Sequence, residues 1–209
     1  FELAALTVEM LYDDGFLLLK GPTHIIRQVN DRNRLRQLDA KKRPLTLLFM
    51  ACSPIDLSDA VLQFEKEEEM LLSNVDRFQV EAEIEDSGSL TGLHDALIEA
   101  NGYDIVHISG HAGTDSKLGP VFYMEKDTGY QEKVTPEDIW KVLQDYPPRL
   151  LFLSGCSTGK SYKTNGAESL SFAHRLVEMG VSTVLGWGNR VSDVSATRLV
   201  SELYPHLAQ

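Results

Sequence analysis

Two apolar segments of strand length each end in Ser-Gly, and a reactive side chain follows each of them at once. Residues 104–110 lead into His111, and residues 149–155 lead into Cys156. Continuous apolar runs of this length are typical of strands that are buried on both faces, as in a parallel sheet. Ligands of open α/β sheets bind just beyond the carboxyl ends of the strands. If the two strands are neighbours, an imidazole and a thiol therefore share one crevice, as a cysteine nucleophile and its base do.

The composition fits one large domain, and it excludes several classes of function. Of the 209 residues, 43% are hydrophobic and 24% are charged, so the chain can bury a sizeable core. The formal net charge of −11 argues against direct nucleic-acid binding, which needs clustered Lys and Arg. Two cysteines are too few for a disulfide scaffold, which favours a reducing compartment such as the cytoplasm. No apolar run reaches transmembrane length, so no membrane partner is expected.

The first 43 residues are expected to be separate from a main domain that spans residues 44–209. Residues 6–29 are predicted to form short strands around an Asp-Asp-Gly turn. The basic residues within 31–43 are predicted to be a solvated linker, and a docking patch for an acidic partner is the alternative. The chain starts without Met and without a signal-peptide pattern, which favours a piece of a longer protein.

From Pro44 onwards, strand-like and helix-like segments alternate. Alternation with helix-length crossovers predicts an α/β fold, with a mostly parallel sheet and helices on both faces. The acidic run over residues 65–69 is interpreted as the solvent face of its helix. The predicted strands cover 45–51, 77–84, 104–109, 149–154 and 182–187, with a hairpin over 121–134, and the predicted helices cover 57–72, 89–100, 135–146, 167–179 and 195–207.

With these motifs placed, the chain resembles a CHAT domain, the bacterial branch of the caspase- and separase-like (clan CD) cysteine peptidases. The similarity covers nearly the whole chain, and its most specific parts are Ser-Gly-His at 109–111 and Ser-Gly-Cys at 154–156. It also includes Ala-Cys-Ser-Pro at 51–54 and the segment 187–193. The resemblance implies a caspase-like sheet that is preceded by a small N-terminal β hairpin unit.

The resemblance also implies a function and partners. A domain of this kind is expected to be a cysteine endopeptidase that cleaves specific protein substrates without a cofactor. An upstream sensor, such as tetratricopeptide repeats, or a partner protein is expected to regulate it, and bacterial defence is an expected setting. Relatives usually continue with another helix, so the C-terminus is expected to be incomplete.

The chemistry expected at the two strand ends is nucleophilic catalysis by Cys156 with His111 as its base. An ordinary cysteine thiol has a pKa of about 8.5, so it needs a base to act as a thiolate at neutral pH. His111 would take that proton and return it to the leaving amine. The resemblance implies that the N–H groups of Cys156 and Ala112 form the oxyanion hole. Gly110 and Gly113 would let the backbone approach the substrate closely, and Gly113 and Gly155 are expected to belong to the backbone around the oxyanion.

Other interpretations of the same residues remain open at this stage. Cys52 also ends a strand, but it has no glycine turn or histidine counterpart, so it is interpreted as core. His107 is predicted to be an interior histidine on the same face of the strand as His111. A zinc site from His107, His111 and Cys156 would lack a close ligand pair. Residues 155–161 resemble a phosphate loop, but only three residues separate the glycines where the Walker pattern has four.

Trp187 and Asp193 are candidates for the pocket that receives the side chain before the scissile bond. Alternatively, Trp187 packs on the core and Asp193 caps the last helix. The capping role is favoured for Asp193. Its charge would then be satisfied by the N–H groups of the helix, which predicts that the pocket is apolar.

Two classes of function therefore remain, a regulated endopeptidase and a caspase-like interaction module without catalysis. The presence of both His111 and Cys156 favours the peptidase. The loops over 112–120 and 157–166 are polar, so they are expected to have low local stability. We therefore expect the domain alone to be a poor enzyme until a partner orders these loops.

Overall fold

The computed structural model describes residues 44–60, 64–78, 80–156, 158–159, 162–164, 167–188 and 193–207. The elements below are those of this part of the chain, and the predicted N-terminal β unit and basic linker lie outside it. In chain order the elements are β1 (Leu45–Ala51), a 3-10 helix (Ile55–Ala60), α1 (Phe64–Phe78), β2 (Val80–Glu85), α2 (Leu90–Glu99), β3 (Ile105–Ser109), β4 (His111–Asp115), β5 (Gly119–Glu125), β6 (Gln131–Val134), α3 (Pro136–Leu143), β7 (Leu150–Ser154), β8 (Tyr162–Thr164), β9 (Ala167–Ser169), α4 (Phe172–Met179), β10 (Val184–Gly186) and α5 (Asp193–Leu207).

Five strands form the central sheet, in the order β10-β7-β3-β1-β2, and every neighbouring pair is parallel. Parallel neighbours need a crossover connection, and helices supply most of them here. The predicted mostly parallel α/β sheet is confirmed. Since β3 lies between β1 and β7, the segments that carry the two Ser-Gly endings are direct neighbours.

The two faces of the sheet have separate cores, because alternate residues of a strand point to opposite faces. Leu48 and Met50 of β1 pack with α2, α3 and α4, whereas Leu47 and Phe49 pack with α1 and α5. Helices therefore cover both faces, as the sequence predicts. The helix residues of the first core include Leu93, Leu97, Ile139, Leu143, Phe172 and Leu176, and those of the second include Leu71, Val200 and Tyr204.

A separate antiparallel sheet, β4-β5-β6, begins immediately after β3. The predicted hairpin turn is confirmed, with Gly129 in the left-handed region at φ 77°. Two other expectations are wrong. His111 starts β4 and does not continue β3 on the same face as His107, because the chain changes sheet at Gly110. Residues 112–120 are not a polar loop but mostly the β4–β5 hairpin, with its strands paired from His111 to Asp115.

Several helix boundaries follow local signals, and others do not. Thr135 accepts the Asp138 N–H and Asp138 accepts the Thr135 N–H, and this capping box starts α3. The helix predicted over 57–72 is instead a short 3-10 helix followed by α1, shifted toward the C-terminus. The helix predicted from residue 167 begins only at Phe172, after the N-cap Ser171, because β9 occupies the first positions.

The amino ends of the central strands are joined through one buried acid, Asp104. Its Oδ2 accepts the Thr46 N–H at 2.9 Å and the Thr46 hydroxyl at 3.1 Å. Its Oδ1 lies 3.2 Å from Nε of Arg149, just before β7. We call these three residues the amino-end cluster, and it connects β1, β3 and β7.

No helix among the described residues combines the length and the apolar character that crossing a membrane requires.

Candidate active site

The site lies where β3 and β7 end side by side. Ser109 and Ser154, the last residues of the two strands, are register partners, and the Gly110 N–H donates to the Ser154 carbonyl at 3.1 Å. Neighbouring strands are about 4.8 Å apart. His111 and Cys156 each stand two residues beyond this paired position, and both are partly exposed. The two candidate residues are thus brought to the same edge of the sheet.

The two turns are packed so closely that Gly155 has no room for a side chain. A β-carbon placed on Gly155 would lie 2.6 Å from Cε2 of Phe122 and 3.1 Å from the Gly110 carbonyl oxygen. It would also lie 3.2 Å from Cβ of Ala112. Real β-carbons essentially never come within 3.0 Å of such atoms, so glycine is required by the approach of the two turns. Ala112 and Gly155, which are both expected to belong to the backbone around the oxyanion hole, are therefore neighbours.

Thr158 holds the turn that carries Cys156. It is 1% exposed, and its hydroxyl lies 3.2 Å from the Leu153 carbonyl and 3.0 Å from the Gly155 carbonyl. The same oxygen accepts the Trp187 N–H at 3.1 Å. Thr158 thereby connects the end of β7 with the end of β10. The functional residues predicted from the sequence do not include Thr158, although a Thr in a polar turn after a buried strand is a usable signal.

A buried carboxylate lies beneath both turns, on the face that α1 covers. Glu67 is 4% exposed, and it accepts the Ser109 hydroxyl at 2.6 Å and the Ser154 hydroxyl at 3.0 Å. The interpretation of the run 65–69 as wholly solvent-facing is therefore wrong at Glu67. Four of the five positions in this run are acidic, and the rotation of the helix decides which of them faces the sheet.

His107 is an interior histidine, as predicted. Its ring stacks on Phe152 with centroids 4.3 Å apart, and its Nδ1 lies 2.9 Å from the Tyr204 hydroxyl. Its Nε2 lies 3.4 Å from Oε1 of Glu67, but this contact has no hydrogen-bond geometry. We call Glu67, His107, Ser109, Ser154 and Tyr204 the carboxyl-end cluster.

The electrostatics of the carboxyl-end cluster favour an ionised Glu67. Burial by itself raises the pKa of Glu67, but the His107 imidazole and the two serine hydroxyls outweigh burial and lower the pKa below its ordinary value. Burial, reinforced by the charge of Glu67, raises the pKa of Tyr204 well above its ordinary value. The phenol therefore stays protonated at any pH at which the protein is used.

Cys52 is core, as predicted. Its side chain is 1% exposed, and burial, followed by the charges of Glu125 and Glu85, raises the pKa of its thiol well above the ordinary value. A thiol in this environment is a poor nucleophile. The Cys52 N–H donates to the Ser109 carbonyl at 2.8 Å, so the residue also helps to fix the end of β3.

Trp187 and Asp193 both follow β10, the neighbour of β7. The Trp187 indole packs toward the core on the α1 and α5 face, with its centroid 6.4 Å from that of Phe152, and its Nε1 is buried without a hydrogen-bond partner. Asp193 is the first residue of α5, which begins two positions earlier than predicted. The geometry of the Asp193 side chain lies outside the described part of the chain.

The competing interpretations find little support. Among the described residues, no group of three or more His, Cys, Asp or Glu side chains is arranged to hold a metal ion. A phosphate loop leads from a strand directly into a helix. Here the segment after Gly155 leads to β8, and α4 follows only after β9.

The parallel sheet, its flanking helices and the adjacent strand ends define a caspase-like, cysteine-protease-like fold. The secreted C11 cysteine protease from Bacteroides thetaiotaomicron, solved in complex with an irreversible peptide inhibitor, matches with a TM-score of 0.50 at 9% identity. The match covers 78% of this chain and 57% of that protease, so the chain spans little more than half of the protease's length. At this identity the likeness shows the fold.

The family model of the CHAT domain matches residues 2–209, and the chain belongs to the CHAT domain family. The Drosophila initiator caspase Dronc also matches, with a TM-score of 0.35 at 8% identity, covering 69% of this chain and 72% of that one. No curated protein gives a significant match.

Proposed function

We propose that this domain is a cysteine endopeptidase that cleaves specific protein substrates, with Cys156 as the nucleophile and His111 as the general base and acid. The observation that supports this most directly is the pairing of Ser109 with Ser154, from which Gly-His and Gly-Cys leave the sheet at one edge. The partial exposure of Cys156, compared with the burial of Cys52, supports the choice of thiol.

In the proposed reaction, His111 accepts the proton of the Cys156 thiol, and Sγ attacks the carbonyl carbon of the scissile peptide bond. The N–H groups of Cys156 and Ala112 would hold the oxyanion that forms. His111 then gives the proton to the leaving amine as the C–N bond breaks, which leaves a thioester on Cys156. A water molecule that loses a proton to His111 hydrolyses the thioester, and the thiol and a carboxylic acid are released.

The proposed pocket beyond β10 would accept a long apolar side chain, such as Leu or Met, before the cleaved bond. An acid in the first turn of a helix is favoured by the helix N–H groups, so Asp193 is assigned to α5. Trp187 would contribute the edge of its ring to the wall. Cleavage profiling with a peptide library tests this assignment: a strict preference for Lys or Arg that Asp193→Asn removes would contradict it.

The catalytic assignment is tested with irreversible peptidyl acyloxymethyl ketones that carry Leu, Lys or Asp next to the reactive carbonyl. We expect intact-mass spectrometry to show one adduct on the wild type and none on Cys156→Ala. His111→Ala should react about 100-fold more slowly or worse, because it lacks the base. Cys52→Ala is the matched control and should retain the wild-type rate.

A different result would favour the interaction module without catalysis. One such result is that none of the three ketones modifies Cys156. The other is that His111→Ala reacts as fast as the wild type. The assignment of both residues would then be overturned.

Regulation by an upstream sensor or a partner protein belongs to the same proposal. A productive site needs the thiol, the imidazole and the oxyanion donors held together closely. The ketone labelling rate of this domain is compared with that of a longer protein that includes its neighbouring modules. Equal rates would refute the proposal that these modules regulate the site.

A further inference from the structure

Glu67 is the one residue of the carboxyl-end cluster that touches both strand ends at once. Its two carboxylate oxygens are divided between them, since Oε2 accepts the Ser109 hydroxyl and Oε1 accepts the Ser154 hydroxyl. Each serine is separated from its reactive residue by a single glycine. Glu67 on α1 is therefore linked to His111 through Ser109 and Gly110. It is linked to Cys156 in the same way, through Ser154 and Gly155.

Burying this carboxylate has a cost that an apolar residue would avoid. Replacing buried ionic groups by well-packed apolar ones is often neutral or stabilising, so such groups are weak contributors to stability. Glu67 stays ionised in this buried position because His107, Ser109 and Ser154 surround its carboxylate. The benefit of the arrangement is therefore geometric: two hydroxyls that belong to different strands are held at fixed distances from one carboxylate.

His107 and Tyr204 fix the carboxylate in turn. The imidazole is held between Phe152, stacked at 4.3 Å, and Phe49, in edge contact at 5.0 Å. Its Nδ1 pairs with the Tyr204 hydroxyl on α5, and its Nε2 faces Glu67. Since the ring cannot turn freely between two phenyl rings, the position of Glu67 is set from the sheet as well as from α1.

We propose that Glu67 is a positioning residue of the Cys156–His111 site, and that it aligns the two turns by bonding Ser109 and Ser154 together. This inference rests on the proposed function. Loss of either bond would let one strand end tilt about its glycine, Gly110 or Gly155. The thiol and the imidazole would then separate while the rest of the sheet stays paired.

The experiment uses Glu67→Gln, Ser109→Ala and Ser154→Ala, with Asp104→Asn as a matched control from the opposite end of the sheet. Gln keeps the size of the side chain but removes its charge, so one serine hydroxyl must turn to accept from the amide NH2 group, and neither serine keeps a carboxylate as its acceptor. Each variant reacts with the ketone that labels the wild type fastest. The maximal inactivation rate and the half-saturating concentration are both measured, per folded molecule as judged by circular dichroism and thermal unfolding.

We expect the maximal rate to fall by about tenfold to 100-fold in Glu67→Gln and by a smaller factor in each serine variant, with the half-saturating concentration unchanged. The rate losses of Glu67→Gln and Ser154→Ala should be less than additive in the double variant, because both changes weaken the contact between residues 67 and 154. Asp104→Asn should keep the wild-type rate per folded molecule.

The outcomes separate this inference from the function on which it rests. If the wild type is labelled in a His111-dependent way and all three variants match its maximal rate, Glu67 does not position the site and only this inference fails. If Glu67→Gln does not fold, the two serine variants decide, since each removes a single hydroxyl. If the wild type itself is not labelled, the proposed peptidase fails first.

Discussion

The two ends of the central sheet each contain a buried carboxylate, but the two carboxylates have different partners. At the amino end, Asp104 belongs to the chain just before β3 and binds a backbone N–H, a hydroxyl and a guanidinium. At the carboxyl end, Glu67 comes from a helix and contacts side chains: it accepts the hydroxyls of Ser109 and Ser154, and it lies 3.4 Å from the His107 imidazole without a hydrogen bond.

This difference separates a contact that stabilises the sheet from one that sets the geometry of its edge. A carboxylate that binds a main-chain N–H and a permanent cation resists displacement. A carboxylate that binds two hydroxyls is easier to disturb, but it acts on the residues that adjoin the two turns. The following predictions test whether the two ends divide stability and function in this way.

The largest loss of stability is expected from Asp104→Asn at the amino end. The amide must turn its NH2 group either to the Thr46 N–H or to Arg149, so it loses an acceptor and the ion pair together. We expect a loss of about 3 kcal/mol in the free energy of unfolding, measured by urea denaturation. Ketone labelling of Cys156 should not change per folded molecule, and a tenfold drop would show that the two ends are not independent.

A smaller loss of stability, but a clear loss of reactivity, is expected from Thr158→Val at the carboxyl end. Val fills the same space but leaves the Trp187 N–H without its acceptor, which costs about 2 kcal/mol. Because Thr158 also bonds the turn that carries Cys156, labelling should slow as well. Thr158→Ser keeps the hydroxyl and serves as the control. If Val and Ser variants label equally fast, the hydroxyl has no part in holding the turn.

The carboxyl-end cluster should also make stability depend on pH in the acidic range. The pKa of Glu67 is lowered in the folded protein from its ordinary value of 4.5, so its stabilising contribution is fully present above that value. The contribution is lost as the pH falls through the lower, folded-state pKa. We expect the difference in unfolding free energy between wild type and Glu67→Gln to shrink as the pH decreases from 6 to 3. A constant difference over that range would mean that folding does not shift the pKa of Glu67, and a difference that grows toward acid pH would mean that Glu67 is neutral in the fold.

The smallest effect is expected from Lys133→Gln on the antiparallel sheet. Lys133 Nζ lies 2.8 Å from Oδ2 of Asp115, and this exposed pair lowers the pKa of Asp115 by its hydrogen bond. Exposed ion pairs contribute little to stability, because water and salt screen them. We expect no measurable change in the urea midpoint or in labelling of Cys156. A clear loss of labelling would instead assign the hairpin that carries His111 a role in setting the site.

Local signals in the sequence determined where the important elements begin and end. The apolar runs stop at Ser109 and Ser154 because Ser-Gly cannot continue a buried strand without a side chain to pack, and both runs are strands with those ends. The capping box at Thr135 and the glycine after Met179 fixed the ends of two helices in the same way. Each of these signals acts within a few residues, so neighbouring sequence is sufficient to recognise it.

Only the tertiary structure decided which of these ends meet and what lies beneath them. The neighbour relation of β3 and β7 depends on the strand order of the whole sheet. The burial of Glu67 within an acidic run depends on the rotation of α1 about its own axis, because this position faces the sheet while the rest of the run is exposed or partly exposed. His111 joined β4 because it pairs with Tyr123 of β5, and the residues around His111 do not specify that partner. Contacts between residues far apart in the chain settled all three, and no short segment records them.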